Sequence, residues 1–152
     1  ANRYFFVENP VKIKLDKNPK SIKVKLHPEG NKYKTVKLSK ELFVSLKDFN
    51  DFKDKEVRLM HLHNVKLNKN SKFTSESNDH SIRKIHWVNA DDKEHIKVNI
   101  MMPNGIWEKG VAEKNIKDLK EGDYVQFERF GFCRFDGINR FTKDYEFWYT
   151  HD

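Results

Sequence analysis

The sequence predicts an all-β fold made of short antiparallel strands. Residues 11–15, 22–26 and 96–100 alternate apolar side chains with lysine or other polar ones, which is the period of a strand that buries one face. Turn signals built from Pro, Gly, Asn and Asp separate such runs along the chain. This spacing is typical of small barrels or of a sandwich, and the residues alone leave both open.

The other predicted elements are short. Ser45 can cap one helical turn that runs through residue 49, and a second turn is predicted within residues 112–119. Residues 69–80 are polar and have no period, so we expect a mobile loop there. Further strands are predicted at residues 4–7, 34–38, 42–44, 56–59, 64–67, 84–88, 124–130 and 146–150.

The composition points toward a polyanionic partner without requiring one. The chain of 152 residues carries 30 Lys and Arg against 23 Asp and Glu, a formal net charge of +7, and its length suits one domain or two small ones. Positive surfaces attract nucleic acid because each neutralised phosphate releases counterions. Lysine also serves solubility alone, so a nucleic-acid partner and a protein partner both remain open.

The sequence favours a cytoplasmic protein with no membrane partner. No stretch is long and apolar enough to span a bilayer, and residues 1–10 lack the apolar core of a signal peptide. The single cysteine, Cys133, excludes an internal disulfide. Because the chain opens on an apolar run without an initiator Met, we expect a fragment of a longer protein or a processed product.

The titratable residues form no recognisable catalytic or metal site. His61 and His63 would share one face of a strand, but no Cys pair or acidic residue accompanies them at ligand spacing, and structural zinc takes four ligands. Cys133 lies beside Arg134, yet burial is the usual fate of a lone cysteine. We therefore expect no catalytic residue, no metal and no cofactor in this chain.

Three segments together carry a specific resemblance: residues 3–12 (RYFFVENPVK), residues 55–60 (KEVRLM) paired with 85–88 (IHWV), and residues 122–132 (GDYVQFERFGF) leading to 149–152 (YTHD). A His-Pro-Glu at residues 27–29 adds to it. In this order and spacing the segments resemble the C-terminal anticodon-binding region of the archaeal and eukaryotic type of glutamyl-tRNA synthetase, a plan that glutaminyl-tRNA synthetases share. The resemblance covers nearly the whole chain.

The resemblance implies two small antiparallel β-barrels, with the chain passing from the first to the second and back. We expect residues 1–28 and 96–152 in the proximal barrel and residues 29–95 in the distal one. A catalytic Rossmann domain, N-terminal to this chain, would use ATP and Mg to charge tRNA-Glu, with tRNA-Gln as a second candidate. The parent would be a glutamate–tRNA ligase, and that catalytic domain would be a partner of this chain.

The same resemblance nominates an anticodon-binding set. Arg3 matches an arginine that faces the middle base, a uridine, and Gln126 and Arg129 match the other side of that pocket. Arg58 matches an arginine near the first anticodon base. A glutamine amide both donates and accepts, which suits a pyrimidine edge. Candidate contacts to the RNA backbone are Lys12, Lys14, Lys23, Lys25 and Lys55.

Two departures favour the glutamyl over the glutaminyl family. Glutaminyl enzymes carry a second arginine where this chain has Met60, and basic residues where it has Phe49 and Asn50. The glutaminyl plan, and a barrel that binds other RNA or protein without being part of an enzyme, remain the alternatives. Purely structural roles also remain open: Arg58 and Arg129 could pair with nearby glutamates. Trp87 is expected in the hydrophobic core rather than against a base.

A tetrapeptide at residues 37–40, Lys-Leu-Ser-Lys, is similar to the loop that closes over ATP in class I aminoacyl-tRNA synthetases. That loop works beside a Rossmann nucleotide fold. The 36 residues before it contain no Gly-rich strand–helix turn and no His-x-Gly-His. We therefore interpret residues 37–40 as the end of a strand.

Overall fold

The computed structural model describes residues 1–152 and contains sixteen strands, one α-helix and one 3-10 helix. The strands are β1 (Asn2–Tyr4), β2 (Phe6–Glu8), β3 (Pro10–Leu15), β4 (Ser21–Lys25), β5 (Tyr33–Lys37), β6 (Glu41–Ser45), β7 (Glu56–Leu59), β8 (Asn64–Lys66), β9 (Asn70–Ser75), β10 (Arg83–Ile85), β11 (Val88–Asn89), β12 (His95–Met101), β13 (Trp107–Glu113), β14 (Tyr124–Phe127), β15 (Gly131–Ile138) and β16 (Tyr145–His151). The helix α1 spans Leu46–Phe52, and the 3-10 helix spans Lys114–Asp118. The all-β prediction is confirmed.

The first sheet has seven strands in the order β1-β14-β15-β16-β12-β13-β2. Its two edge strands are consecutive in the chain, with only Phe5 between them. The sheet must therefore curl until its edges approach each other, which makes it a nearly closed barrel. The core of this barrel is aromatic: Phe127 and Phe147 are fully buried, and their rings meet edge to face at 5.0 Å.

The second sheet also has seven strands, in the order β10-β7-β8-β9-β3-β6-β11. Its core contains the fully buried Trp87, whose indole Nε1 donates a hydrogen bond to the carbonyl of Met60 at 2.9 Å. The expectation that Trp87 belongs to the core is confirmed. Phe5 and Val7, from the β1–β2 region, are buried in this same second core, so the two sheets share apolar contacts.

The chain moves from the first sheet to the second at Asn9, which has a left-handed backbone (φ 45°) between β2 and β3. All of the pairing of β3 is with β6 and β9 of the second sheet, although the predicted boundaries grouped residues 10–15 with the first barrel. The chain returns at β12, which pairs with β13 and β16. The division of the chain into two folding units stays a prediction.

One predicted loop is wrong, because residues 70–75 form the strand β9, paired with β8 and β3. The inward position is held by Ser71, which is 1 % exposed, so the polar sequence concealed a buried strand face.

Strands β13 and β15 were not predicted. The predicted helical turns are confirmed: Ser45 Oγ accepts a hydrogen bond from Asp48 N at 3.1 Å as the N-cap of α1, and the 3-10 helix lies within residues 112–119. Neither helix could span a lipid bilayer.

Strands β4 and β5 form a separate two-stranded hairpin, and a buried ion pair fastens it to the first sheet. Lys34 Nζ lies 2.7 Å from Glu113 Oε2, with side-chain exposures of 5 % and 3 %. The same Nζ donates to the carbonyl of Arg3 at 2.6 Å, and Arg3 N donates to the carbonyl of Leu26 at 2.8 Å. These contacts hold the hairpin directly beside β1.

Candidate nucleic-acid interface

A cleft of about 520 Å³ opens between the start of the first sheet, the β4–β5 hairpin and the turn that follows β7. Several of its side chains are cationic or aromatic, and one carboxylate faces them. This mixture suits a nucleotide, because phosphate needs positive charge and a base needs hydrogen-bonding groups and a flat neighbour. The lining residues are Arg3, Lys23, Val24, Lys25, Pro28, Tyr33, Met60, His61 and Glu128.

Arg3 and Gln126 are directly paired beside this cleft. β1 and β14 run parallel with Arg3 opposite Gln126, and Arg3 Nε donates to Gln126 Oε1 at 3.0 Å. This bond uses one donor of the guanidinium and orients the amide, so the two Nη groups of Arg3 and Nε2 of Gln126 remain donors for a ligand. Donors of this kind match the carbonyl oxygens of a pyrimidine.

Arg58 lies on β7 of the second sheet, two positions before Met60, which lines the cleft. Its Nη1 makes long contacts to Asn64 Oδ1 at 3.3 Å and to the carbonyl oxygens of Glu76 and Ser77 at 3.4 and 3.5 Å. Bonds of this length are weak. Arg58 is not among the residues that line the cleft, and its guanidinium is only loosely held by the protein.

Arg129 lies in a different cavity from the Arg3–Gln126 pair. Its Nη1 and Nη2 donate to the two carboxylate oxygens of Asp48 at 3.0 and 3.1 Å, and the two residues line a separate cavity of about 200 Å³. A bidentate pair of this kind satisfies both groups. The structure therefore brings Arg3 and Gln126 together but engages Arg129 with α1; an anticodon contact from Arg129 stays a prediction.

Glu128 stands between the two cavities and lines both of them. Burial raises the pKa of this carboxyl, but His86, with Nε2 3.8 Å from Glu128 Oε2, together with His61 and Arg3, outweighs burial and leaves the pKa lowered. Glu128 is thus an anionic acceptor at neutral pH. Sequence reasoning missed it, although its position between Gln126 and Arg129 was a usable signal.

His61 is another cleft residue that sequence reasoning did not assign to RNA. It has a left-handed backbone (φ 62°), and its ring lies parallel to the ring of Phe5 with centroids 6.0 Å apart. Burial lowers the pKa of His61, against the opposing effect of Glu128. The ring is therefore neutral at physiological pH and presents a flat surface rather than a charge.

The lysines predicted to contact the RNA backbone lie in two parts of the surface. Lys23 and Lys25 line the cleft. Lys12 and Lys14 project from the exposed face of β3, and Lys55 is exposed in the turn before β7. Contacts from these lysines to an RNA backbone stay predictions.

The remaining polar candidates are buried or dispersed. No group of three or more His, Cys, Asp or Glu side chains is arranged to hold a metal ion. His63 packs edge-on against Phe73 with centroids 5.2 Å apart. Cys133 is fully buried, as predicted, and burial raises the pKa of its thiol to about 12.

Two joined β-sheets with a basic cleft that offers Arg and Gln donors define a β-barrel module suited to unpaired nucleotides. Comparison with known families then specifies the type. The model described as tRNA synthetases class I (E and Q), anti-codon binding domain, matches residues 1–89, and a second model with the same description matches residues 84–136. The chain belongs to this family of anticodon-binding domains, which confirms the resemblance read from the sequence.

Individual relatives agree with the family. The chain is 37% identical over 165 residues to a glutamate–tRNA ligase of Methanobrevibacter smithii, covering 99% of this chain and 28% of that protein. Glutamate–tRNA ligases of Methanocaldococcus jannaschii and Pyrococcus furiosus are 32% and 35% identical over 148 and 156 residues, covering 90% and 91% of this chain and 26% of each relative. The chain thus spans about a quarter of the length of these relatives.

Proposed function

We propose that this chain is the anticodon-binding part of a glutamate–tRNA ligase and holds tRNA-Glu in position for aminoacylation. The observation that carries the proposal is the Arg3–Gln126 pair at a basic cleft, in a chain of the anticodon-binding family. The catalytic domain of the parent enzyme would supply the ATP- and Mg-dependent chemistry. The role of this chain is to bind and orient the tRNA.

The cleft favours uracil as the middle anticodon base. Arg3 and Gln126 supply donors, and Glu128 supplies an acceptor. Uracil presents acceptor, donor and acceptor along its Watson–Crick edge, so its carbonyl oxygens would accept from Arg3 and Gln126 and its N3–H would donate to Glu128. Cytosine would turn its unprotonated N3 toward the Glu128 carboxylate, and an unsatisfied polar contact of this kind costs about 1–3 kcal/mol.

Lys23 and Lys25 on the hairpin wall would contact the phosphates on either side of the bound base. Each phosphate neutralised on a single strand steepens the dependence of log K on log salt by about 0.7. Two such contacts would contribute a slope of about −1.4. Binding should therefore weaken measurably between 50 and ~200 mM salt.

The test is a titration of the full chain with labelled tRNA-Glu, with tRNA-Glu carrying cytosine at the middle anticodon position, and with tRNA-Gln. Preference for the unaltered anticodon supports the proposal, and equal affinity for tRNA-Gln would extend the substrate range to both tRNAs. Equal binding of the cytosine variant would indicate a general RNA-binding barrel, and no binding would indicate a protein-binding module. Arg3→Ala should remove the preference, whereas Arg140→Ala, at an exposed arginine outside the cleft, should preserve it.

A further inference from the structure

Tyr33, the first residue of β5, has an exposed aromatic ring on the wall of the cleft. The residue is 59 % exposed, and its ring stacks on no other aromatic ring of the protein. The apolar side chain that anchors the same strand is Val36, which is buried. The ring of Tyr33 therefore contributes little to the core and remains free to contact a ligand.

The backbone that carries this ring is fixed relative to Arg3. Lys34, the next residue, donates from Nζ to the carbonyl of Arg3 at 2.6 Å and pairs with Glu113 at 2.7 Å. On the other side, Asn115 Nδ2 donates to the carbonyl of Thr35 at 2.9 Å. Tyr33 is thus held at a set position beside the Arg3–Gln126 pair, although its ring is exposed.

The surroundings of the ring match those of a base-stacking platform. Lys25 lies directly opposite Tyr33 in the hairpin, and Lys23 lines the same wall. Met60 and His61 form the facing side of the cleft. Proteins that hold single-stranded nucleic acid combine such rings with a positively charged groove that follows the backbone.

We propose that Tyr33 stacks on an unpaired anticodon-loop base adjacent to the base that Arg3 and Gln126 contact. The inference rests on the proposed function and adds to it a residue that acts by stacking instead of by reading base edges. Every base has a π-face, so stacking is tolerant of sequence. Tyr33 therefore strengthens binding of all anticodons alike, whereas Arg3 discriminates among them.

The test uses the full chain and a labelled anticodon stem-loop of tRNA-Glu at fixed salt. Tyr33→Ala should weaken binding by roughly 5- to 150-fold, the loss typical of one stacked base, and Tyr33→Phe should bind within about twofold of the wild type because it keeps the ring. The matched control is Tyr124→Ala, at a tyrosine of nearly equal exposure, 60 %, outside the cleft. That variant should bind like the wild type.

A second measurement locates the stacked base. With 2-aminopurine placed at each loop position in turn, the wild-type chain should quench one position strongly, and Tyr33→Ala should restore its fluorescence. The affinity loss of Tyr33→Ala should be the same for tRNA-Glu and its cytosine variant.

Three results would overturn the stacking role. Tyr33→Ala could bind like Tyr124→Ala, Tyr33→Phe could lose as much as Tyr33→Ala, or the loss could depend on the anticodon. If Arg3→Ala still removes the anticodon preference in those cases, only the stacking role fails. A wild-type chain that binds no stem-loop refutes the stacking role together with the proposed function.

Discussion

The buried Lys34–Glu113 pair should be the most sensitive polar contact in the molecule. Lys34→Met removes the cation and keeps most of the side-chain volume. Glu113 then retains only hydrogen bonds from the backbone N of Phe5 and from Asn115 Nδ2, both at 2.8 Å. Breaking a buried pair while leaving the other charge in place costs about 3–5 kcal/mol.

The expected loss is large for a chain of this length. In a protein of about 150 residues, each kcal/mol lowers the melting temperature by about 2–4 °C, so Lys34→Met should melt about 6–20 °C below the wild type. The lost contacts also include the ammonium over the ring of Tyr4, 4.5 Å from its centroid. Urea unfolding followed by circular dichroism measures the free energy directly.

A matched control separates burial from charge pairing. Lys47 and Asp51 also lie 2.7 Å apart, but their side chains are 77% and 47% exposed. Because water screens exposed pairs, Lys47→Met should leave the unfolding curve nearly unchanged. In the double variant Lys34→Met/Glu113→Gln, the side chain at position 113 is a neutral amide. No buried charge is then left without a partner, so part of the lost stability should return.

Two results would contradict this prediction: Lys34→Met could unfold like Lys47→Met, or the double variant could show the simple sum of the two single losses. Either result would mean that the hairpin does not depend on this pair. Tyr33 would then lose the structural support on which its fixed position in the cleft depends.

Four further outcomes follow from individual residues. Gly110→Ala should destabilise the chain by more than ~1 kcal/mol, measured by urea unfolding, because its new Cβ would overlap a carbonyl oxygen of β2. His61 and His63 have pKa values that burial lowers from 6.5, so the unfolded chain binds more protons. The unfolding free energy should therefore fall as the pH drops through 6.5 toward the folded pKa values, and His63→Asn should reduce that slope. Cys133, with its pKa raised to about 12, should resist iodoacetamide at pH 8 until urea unfolds the chain. Arg58→Ala should weaken tRNA binding by ~1–3 kcal/mol in a filter assay at fixed salt; an unchanged affinity would count against a base contact.

The sequence located most strands because one face of each carries the apolar residues. It missed β13 and β15, and it failed at β9, where Ser71 occupies the inward position. It also could not separate Lys34 from the exposed lysines of the hairpin. β5 reads Tyr-Lys-Thr-Val-Lys, and its inward face takes Lys34 together with Val36. A lysine points inward here because its partner lies 79 residues away in the chain.

The candidate site, like the fold, could be predicted from the sequence only in part. Resemblance nominated Arg3 and Gln126 together, and the two side chains are hydrogen-bonded. The partner of Arg129 is Asp48, 81 positions away, and neither local spacing nor the family pattern indicated it. When the hydrogen-bond partner of a buried polar side chain lies far away in the sequence, only the structure identifies that partner.

The junction between the two sheets has a backbone that is costly to form. Non-glycine residues in the left-handed region cost about 1–3 kcal/mol each, and three of them, Asn9, His61 and Arg129, lie where the sheets meet. Each is held by a contact across the junction or by the crossing itself: His61 lies against Phe5, and Arg129 pairs with Asp48. Because these contacts are made within the protein, they offset the backbone cost and brace the junction beside the cleft.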